Sequence, residues 1–151
     1  MRRIIVMLLL AMGLVPVAAQ TAANDKADNI IGNYLVKLGN EESKVRVTKE
    51  KEGTFTAQIY WVKDACDKDG KKRLDIGNPD KSLRSVPCDE IVLISGLKYN
   101  TSKSQWDGAK IYDPTRGIKA NAVFKFNDKG QLTVKGSLMG ISETIVWERG
   151  E

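Results

Sequence analysis

The residues with the most chemical potential lie in one run, Trp106-Asp-Gly-Ala-Lys-Ile-Tyr-Asp-Pro-Thr-Arg-Gly117. Strand alternation would put Trp106, Gly108, Lys110 and Tyr112 on one face and Asp107, Ala109, Ile111 and Asp113 on the other. On that reading Trp106, Lys110 and Tyr112 form a ligand-facing patch, two aromatic surfaces flanking a cation. Turn chemistry accounts for the end of the run. Asp113 and Pro114 suit the first two positions of a type I turn, and Gly117 supplies a left-handed residue before the next strand. A second cluster, Asp75, Asn78, Asp80 and Arg84, offers carboxylates for acid–base work or oxygen ligands for calcium. Asn78, Asp80 and Arg84 are therefore candidate ligand-binding residues. The structural alternative, which the Pro favours, is a short helix with Asn78 as N-cap, Pro79 at its first position and Arg84 paired to Asp80 four residues back.

The chain has no His. That excludes Ser-His-Asp and Cys-His catalysis and zinc sites with imidazole ligands. Asp67-Lys-Asp-Gly70 resembles the start of an EF-hand loop, but Ala65 and Ile76 fall where the anchoring carboxylates belong. No cofactor and no metal site is expected, and no catalytic residue is assigned. A hydrolase using Asp75 with Asp80, or Asp107 with Asp113, ranks last among the functional readings, because no spacing forces either pair together. Cys66 and Cys88 are the only cysteines. In an exported chain such a pair is expected to form a disulfide, closing a loop of about 23 residues worth roughly 3 kcal/mol.

Export is read from the first residues. Met1-Arg2-Arg3 is a charged start, Ile4 to Val17 is apolar, and Val17-Ala-Ala19 offers a cleavage site before Gln20. Residues 1–19 are thus expected to be a cleaved signal peptide. No Cys lies near the cut, which argues against a lipoprotein, and no transmembrane segment is expected after cleavage. The formal charge is +5, and +3 without Arg2 and Arg3. Basic residues form no block interleaved with aromatics, so nucleic acid is not an expected partner.

The remaining chain must position the two clusters. Residues 20–29 are polar and expected to be a flexible N-terminus. Beyond Ile30 the period is two: Tyr34, Val36, Leu38; Val45, Val47; Phe55, Ala57, Ile59, Trp61; Ile118 through Phe126; Leu132, Val134, Gly136; Ile145, Trp147. Glu90–Leu97 and Trp106–Asp113 read as further strands, with a polar connector over 98–105. Glu143 shares parity with Ile145 and Trp147, and is expected at an exposed strand terminus. Glu50–Gly53, Asp113–Gly117 and Asn127–Gly130 are short Gly-ended turns. Residues 63–89 form the long irregular stretch, holding the short helix and spanned by the expected disulfide. About eight strands joined by hairpins predict an all-β, single antiparallel up-and-down barrel over residues 30–151, with a sandwich as the competing architecture.

The chain resembles the DUF2147 family of exported bacterial proteins. The matching pieces are Asp75-x-x-Asn-Pro-Asp80-x-x-x-Arg84, Gly96-Leu-Lys-Tyr99, Trp106-x-Gly-x-x-Ile-Tyr-Asp-Pro-x-x-Gly117, Gly136, Gly140 and Trp147-x-Arg149. The family opens with Gly-x-Trp where this chain has Gly32-Asn-Tyr34. The resemblance implies a small lipocalin-like β-barrel without a settled activity. It also implies barrel closure by an aromatic near the first strand beneath a basic residue after the last, parts that fall to Tyr34 and Arg149. The expected function is non-enzymatic binding of a small apolar or amphipathic ligand by a periplasmic or secreted protein. Small residues Ala120 and Ala122 would leave room inside. The alternative is a cell-envelope interaction module with a filled core and a protein partner.

Overall fold

The computed structural model describes residues 22–150; the expected signal peptide at 1–19 lies outside them. Eight strands follow one another: β1 (Gly32–Leu38), β2 (Glu41–Lys49), β3 (Phe55–Val62), β4 (Val92–Asn100), β5 (Gln105–Asp113), β6 (Ile118–Phe126), β7 (Leu132–Leu138) and β8 (Ile141–Arg149). Each pairs with its sequence neighbour, and β8 pairs antiparallel with β1 to close the barrel. Closure leaves no unpaired edge strand.

Alternation sets the faces. Tyr34, Val36, Val45, Val47, Phe124, Leu132, Val134 and Trp147 are all buried on the inner face. Residues opposite each other in register share a face, so Val36 meets Trp147, and Val134 meets Ile145. Hairpin direction then separates two ends. The β2–β3, β4–β5 and β6–β7 turns lie at one end. The β1–β2, β5–β6 and β7–β8 turns lie at the other, with the long β3–β4 connection.

The first end is closed by the chain's own N-terminal stretch. The expectation of a flexible segment differs from what residues 22–30 do. Two short 3-10 turns, Ala22–Asn24 and Ala27–Ile30, lie across the barrel bottom. Asn24 is buried and clamps β6 through both backbone groups of Phe126: its side chain donates to the carbonyl at 2.9 Å and accepts from the N–H at 2.8 Å. Tyr99 donates to the Asn24 carbonyl, Trp106 Nε1 to that of Ala27, and Tyr34 to that of Ile30. A frayed segment would leave these buried polar groups unpaired, which is why polar, small sequence still folds here.

The register shifts in three strand pairs, β2–β3, β3–β4 and β5–β6, and two of these shifts re-aim side chains named above. One lies between Trp106 and Ala109, where Gly108 adopts φ +81°, a left-handed value open to glycine. The other follows Lys44, so Trp61 pairs with Lys44 while Ile59 pairs with Val45. Trp61 therefore turns outward, with Lys44 Nζ 5.1 Å from its ring centroid. Strand β4 also runs further than expected, through Asn100, so the polar connector shrinks to a turn at 101–104.

The long connection differs from expectation in two respects. Its helix is a single 3-10 turn, Lys81–Leu83, capped by Asp80, whose side chain accepts from Ser82 N–H. Asn78 instead accepts from the Asp80 N–H, and Arg84 bonds the Asn78 carbonyl rather than the Asp80 carboxylate. The turn starts two residues later than expected because Asp80, with extended backbone at φ −82° and ψ 107°, is itself the cap. The expected disulfide is absent: Cys66 and Cys88 are free. Arg73 lies between them, donating its N–H to the Ala65 carbonyl and accepting from the Cys88 N–H. Two strand spacings put the cysteines roughly 10 Å apart, beyond the ~7 Å Cα reach of a disulfide.

Candidate functional site

The open end leads into a cavity of about 910 Å³. Its walls are the inner faces of the strands in successive rows. Leu138 pairs with Ile141 at the lip, Gly136 with Glu143 below, and Val134 with Ile145 below that. Trp147 lines the floor beside Val36. Ile59, Ile111 and Ala120 complete the apolar wall from β3, β5 and β6. Ala120 and Gly136 are why space remains there, since a methyl placed on Gly136 would touch Ala120 at 3.5 Å. Ala122 is buried in the core below. The volume is in the range of sites that enclose a small ligand.

Polar groups gather at the mouth. Asp75 is buried; one carboxylate oxygen accepts from Tyr112 Oη at 2.7 Å and the other from Asn78 Nδ2 at 2.8 Å. Burial, then the hydrogen bond to Asp75, pushes the Tyr112 hydroxyl pKa well above its ordinary value. Arg116 bridges the mouth, with Nε donating to Asp113 at 2.7 Å and a guanidinium NH₂ group to Glu143 on β8 at 2.6 Å. Burial pushes the Asp113 carboxyl up, but hydrogen bonds from Thr115 and Arg116 outweigh it and hold the pKa below the usual value. Arg116 also lowers that of Glu143. Glu143 combines inward parity with an exposed position, because its row is close to the lip.

The structure separates the expected aromatic–cation patch. Trp106 is fully buried at the closed end, T-stacked on Phe126 at 5.7 Å. The Gly108 bulge then shifts the parity of β5: Ala109 and Ile111 oppose the inward Ala122 and Ala120, whereas Lys110 opposes Asn121 and Tyr112 opposes Lys119. Lys110 is therefore exposed on the outside. Tyr112 is buried on that outer register by its contact with the Asp75 loop, at the cavity lip. Asn78 belongs to the same buried contact, but Asp80 and Arg84 are exposed and serve the 3-10 turn. Neither carboxylate pair is assembled for hydrolysis. Asp75 and Asp80 have different partners, and Asp107 accepts from Asn100 and Gln105 at the end opposite Asp113.

Asp113 accepts from the Thr115 N–H and hydroxyl, and the Gly117 N–H returns to the Asp113 carbonyl at 2.8 Å around Pro114. Gly117, at φ +65°, also comes so close to the long loop that a Cβ would sit 2.5 Å from the Gly77 carbonyl oxygen. At the other end, the Arg149 guanidinium carbon lies 5.2 Å from the Tyr34 ring centroid and 5.4 Å from that of Phe126. Arg149 also donates to the Tyr34 hydroxyl and to the carbonyls of Asn29 and Ile31. The residues missed by sequence reading are Arg116, Trp147 and the apolar rows themselves. Only the shared parity of Glu143, Ile145 and Trp147 signalled that one wall.

With this geometry in view, the family model for an uncharacterized protein conserved in bacteria, DUF2147, matches residues 32–149. The chain belongs to the DUF2147 family. That match spans every strand of the barrel. No curated protein matches. Among solved structures, a Helicobacter pylori protein described as "Protein HP1028 from the human pathogen Helicobacter pylori belongs to the lipocalin family" is similar. The identity is 26% and the TM-score 0.62, over 80% of this chain and 82% of that one. This DUF2147 chain is thus an all-β, lipocalin-like, closed eight-strand barrel. Among its described residues no helix is long and apolar enough to cross a membrane.

Proposed function

We propose that this DUF2147 barrel is an exported, non-enzymatic carrier or sensor that holds a small, largely apolar molecule in its open-ended cavity. The observation that carries the reading is the 910 Å³ space walled by Ile59, Ile111, Val134 and Ile145 beneath a polar mouth. Apolar surface facing water in such a space gains free energy when a ligand covers it, at about 25 cal/mol per Å². The similarity to a protein described as a lipocalin supports the same reading. The cavity weighs against the filled-core interaction module, and the separated carboxylates weigh against a hydrolase.

The test is native mass spectrometry of freshly purified protein, with thermal shifts across fatty alcohols, fatty acids and glycolipids, on wild type and Ala120→Phe. Retained or added ligand in wild type, lost when Phe fills the wall in a protein that still unfolds cooperatively, supports binding in the cavity. Ligand-free spectra without any shift across the panel would overturn it.

A further inference from the structure

The charge of the cavity opposes that of the chain. Six of the residues lining it are acidic and three are basic, although the chain as a whole has a formal charge of +5. Strand register turns three of these carboxylates inward at the lip. Glu41 on β2 pairs with Leu38, on the face that carries Val36 and Tyr34 lower down. Asp113 pairs with Ile118 and keeps the parity of Ile111, and Glu143 pairs with Gly136 above Ile145. All three line the cavity. Glu41 is exposed, so a molecule entering the mouth can touch it.

The three cations are already committed. Arg116 is shared by Asp113 and Glu143, and Lys72 pairs with Asp89. Arg73 donates to the Asp64 carbonyl at 2.9 Å, and Asp64 does not line the cavity. Glu41 differs: among the described residues its carboxylate has no ion pair and no hydrogen bond. Its charge is felt at the end of the long connection. Burial pushes the Cys88 thiol pKa up, and the carboxylates of Asp75, Asp89 and Glu41 push the same way, against Arg73. Cys88 lines the cavity, so Glu41 lies beside the long connection at the rim.

We infer that the bound molecule is an amphiphile with a cationic ammonium head held at the mouth beside Glu41 and an apolar tail in the cavity. This inference rests on the cavity-binding reading. Apolar walls around a mouth lined by one sign of charge focus its field, so a cation gains there and an anion loses. A carboxylate head would have to draw Arg116 or Lys72 away from acidic partners already in place. An ammonium head meets Glu41 with no partner to displace. The tail would run down past Ile145 and Val134, whose side chains line the space below the lip.

The test uses the full chain with decylammonium, 1-decanol and decanoate, which share one tail and differ in head charge at neutral pH. Affinities are measured by titration calorimetry in low and high salt, on wild type, Glu41→Gln and Ala120→Phe. The expected order is decylammonium tightest, then the alcohol, with decanoate weakest. The ammonium-to-alcohol affinity ratio should fall roughly fivefold in Glu41→Gln, and should fall with salt as well. Decanol or decanoate binding at least as tightly as decylammonium, and lost in Ala120→Phe, would overturn the cationic head while leaving cavity binding intact. A ratio that Glu41→Gln leaves unchanged would overturn Glu41 as the partner of the head. Decylammonium binding that survives Ala120→Phe would put the cation on the outer surface and overturn the inference as well. The Glu41→Gln comparison stands alone if Ala120→Phe folds poorly. Failure of all three probes would count against the cavity-binding reading, and with it this one.

Discussion

Tyr112 on β5 donates a 2.7 Å hydrogen bond to Asp75, 37 residues earlier in the chain. This contact fastens the long connection to the barrel at the edge of the cavity. Asp75 is 4% exposed, and Asn78 supplies its second donor, so the buried carboxylate is held from both sides. Removing either donor leaves charge short of partners in a place water reaches poorly.

Tyr112→Phe should therefore cost about 1–3 kcal/mol, more than an ordinary surface hydroxyl deletion. The damage should be local as well as global. Amides of residues 63–91 should exchange hydrogen faster, while those of β6 and β7 keep their protection relative to global stability. Chemical denaturation and mass-spectrometric exchange read both, and unchanged exchange in the long connection would refute the fastening role.

Two glycines with similar backbone angles should respond differently to alanine. Gly130 has φ +74° and open space around its missing Cβ, whereas Gly117 has φ +65° and the Gly77 carbonyl oxygen 2.5 Å from that position. Gly130→Ala should cost about 1 kcal/mol, the left-handed conformation alone. Gly117→Ala should cost clearly more, because the β5–β6 turn must also part from the long loop. Urea denaturation of both variants gives the comparison; equal losses would show that the loop simply moves aside.

Alkaline pH should weaken the fold through Tyr34. Burial raises its pKa to about 12, with the Arg149 charge and hydrogen bond pulling the other way. The folded state therefore keeps a proton that the unfolded state begins to lose near pH 10. The stabilising difference is complete below that pH and is lost as pH rises toward 12, at about 1.4 kcal/mol per pH unit for this group. Tyr112 adds in the same direction. Stability measured by urea between pH 9 and 11.5 should fall, and Tyr34→Phe should flatten part of that slope.

Acid should loosen the Arg116 bridge. Asp113 and Glu143 both have pKa values below their ordinary ones in the folded protein. Their stabilising contribution is present above the unfolded carboxylate range, near pH 4, and is lost as pH falls through the lower folded values. Arg116 and Glu143 are exposed and Asp113 is only partly buried, so the effect should be small and screened by salt. The melting temperature of wild type should approach that of Arg116→Ala between pH 5 and pH 3 in low salt. A constant gap would mean the bridge acts by packing alone.

Much of the barrel is legible in the sequence because burial of one sheet face forces a period of two. Tyr34-x-Val36, Val45-x-Val47 and Leu132-x-Val134 declare their inner sides without tertiary information, and the Asp113–Gly117 turn declares itself through local backbone chemistry. Family membership is legible too, from motifs spread along the chain. Alternation fails where one extra residue intervenes. Gly108 reverses the parity of β5, so Trp106 goes inward at the bottom while Lys110 and Tyr112 go outward near the top. A glycine in a strand pattern is compatible with a bulge or with a plain strand residue, and only pairing with β6 distinguishes them. The same holds for the cysteines, separated by a segment whose path depends on the Arg73 N–H donating to the Ala65 carbonyl and the Cys88 N–H donating to the Arg73 carbonyl. The N-terminal plug is decided later still, because Asn24 is a polar residue in a polar stretch until Phe126 on a distant strand uses both ends of its amide. Sequence determines which faces are apolar and where hairpins turn, since those are local free energies. Tertiary structure decides which end is sealed and how much space remains above Trp147, since those depend on what the closed barrel brings within a few ångströms.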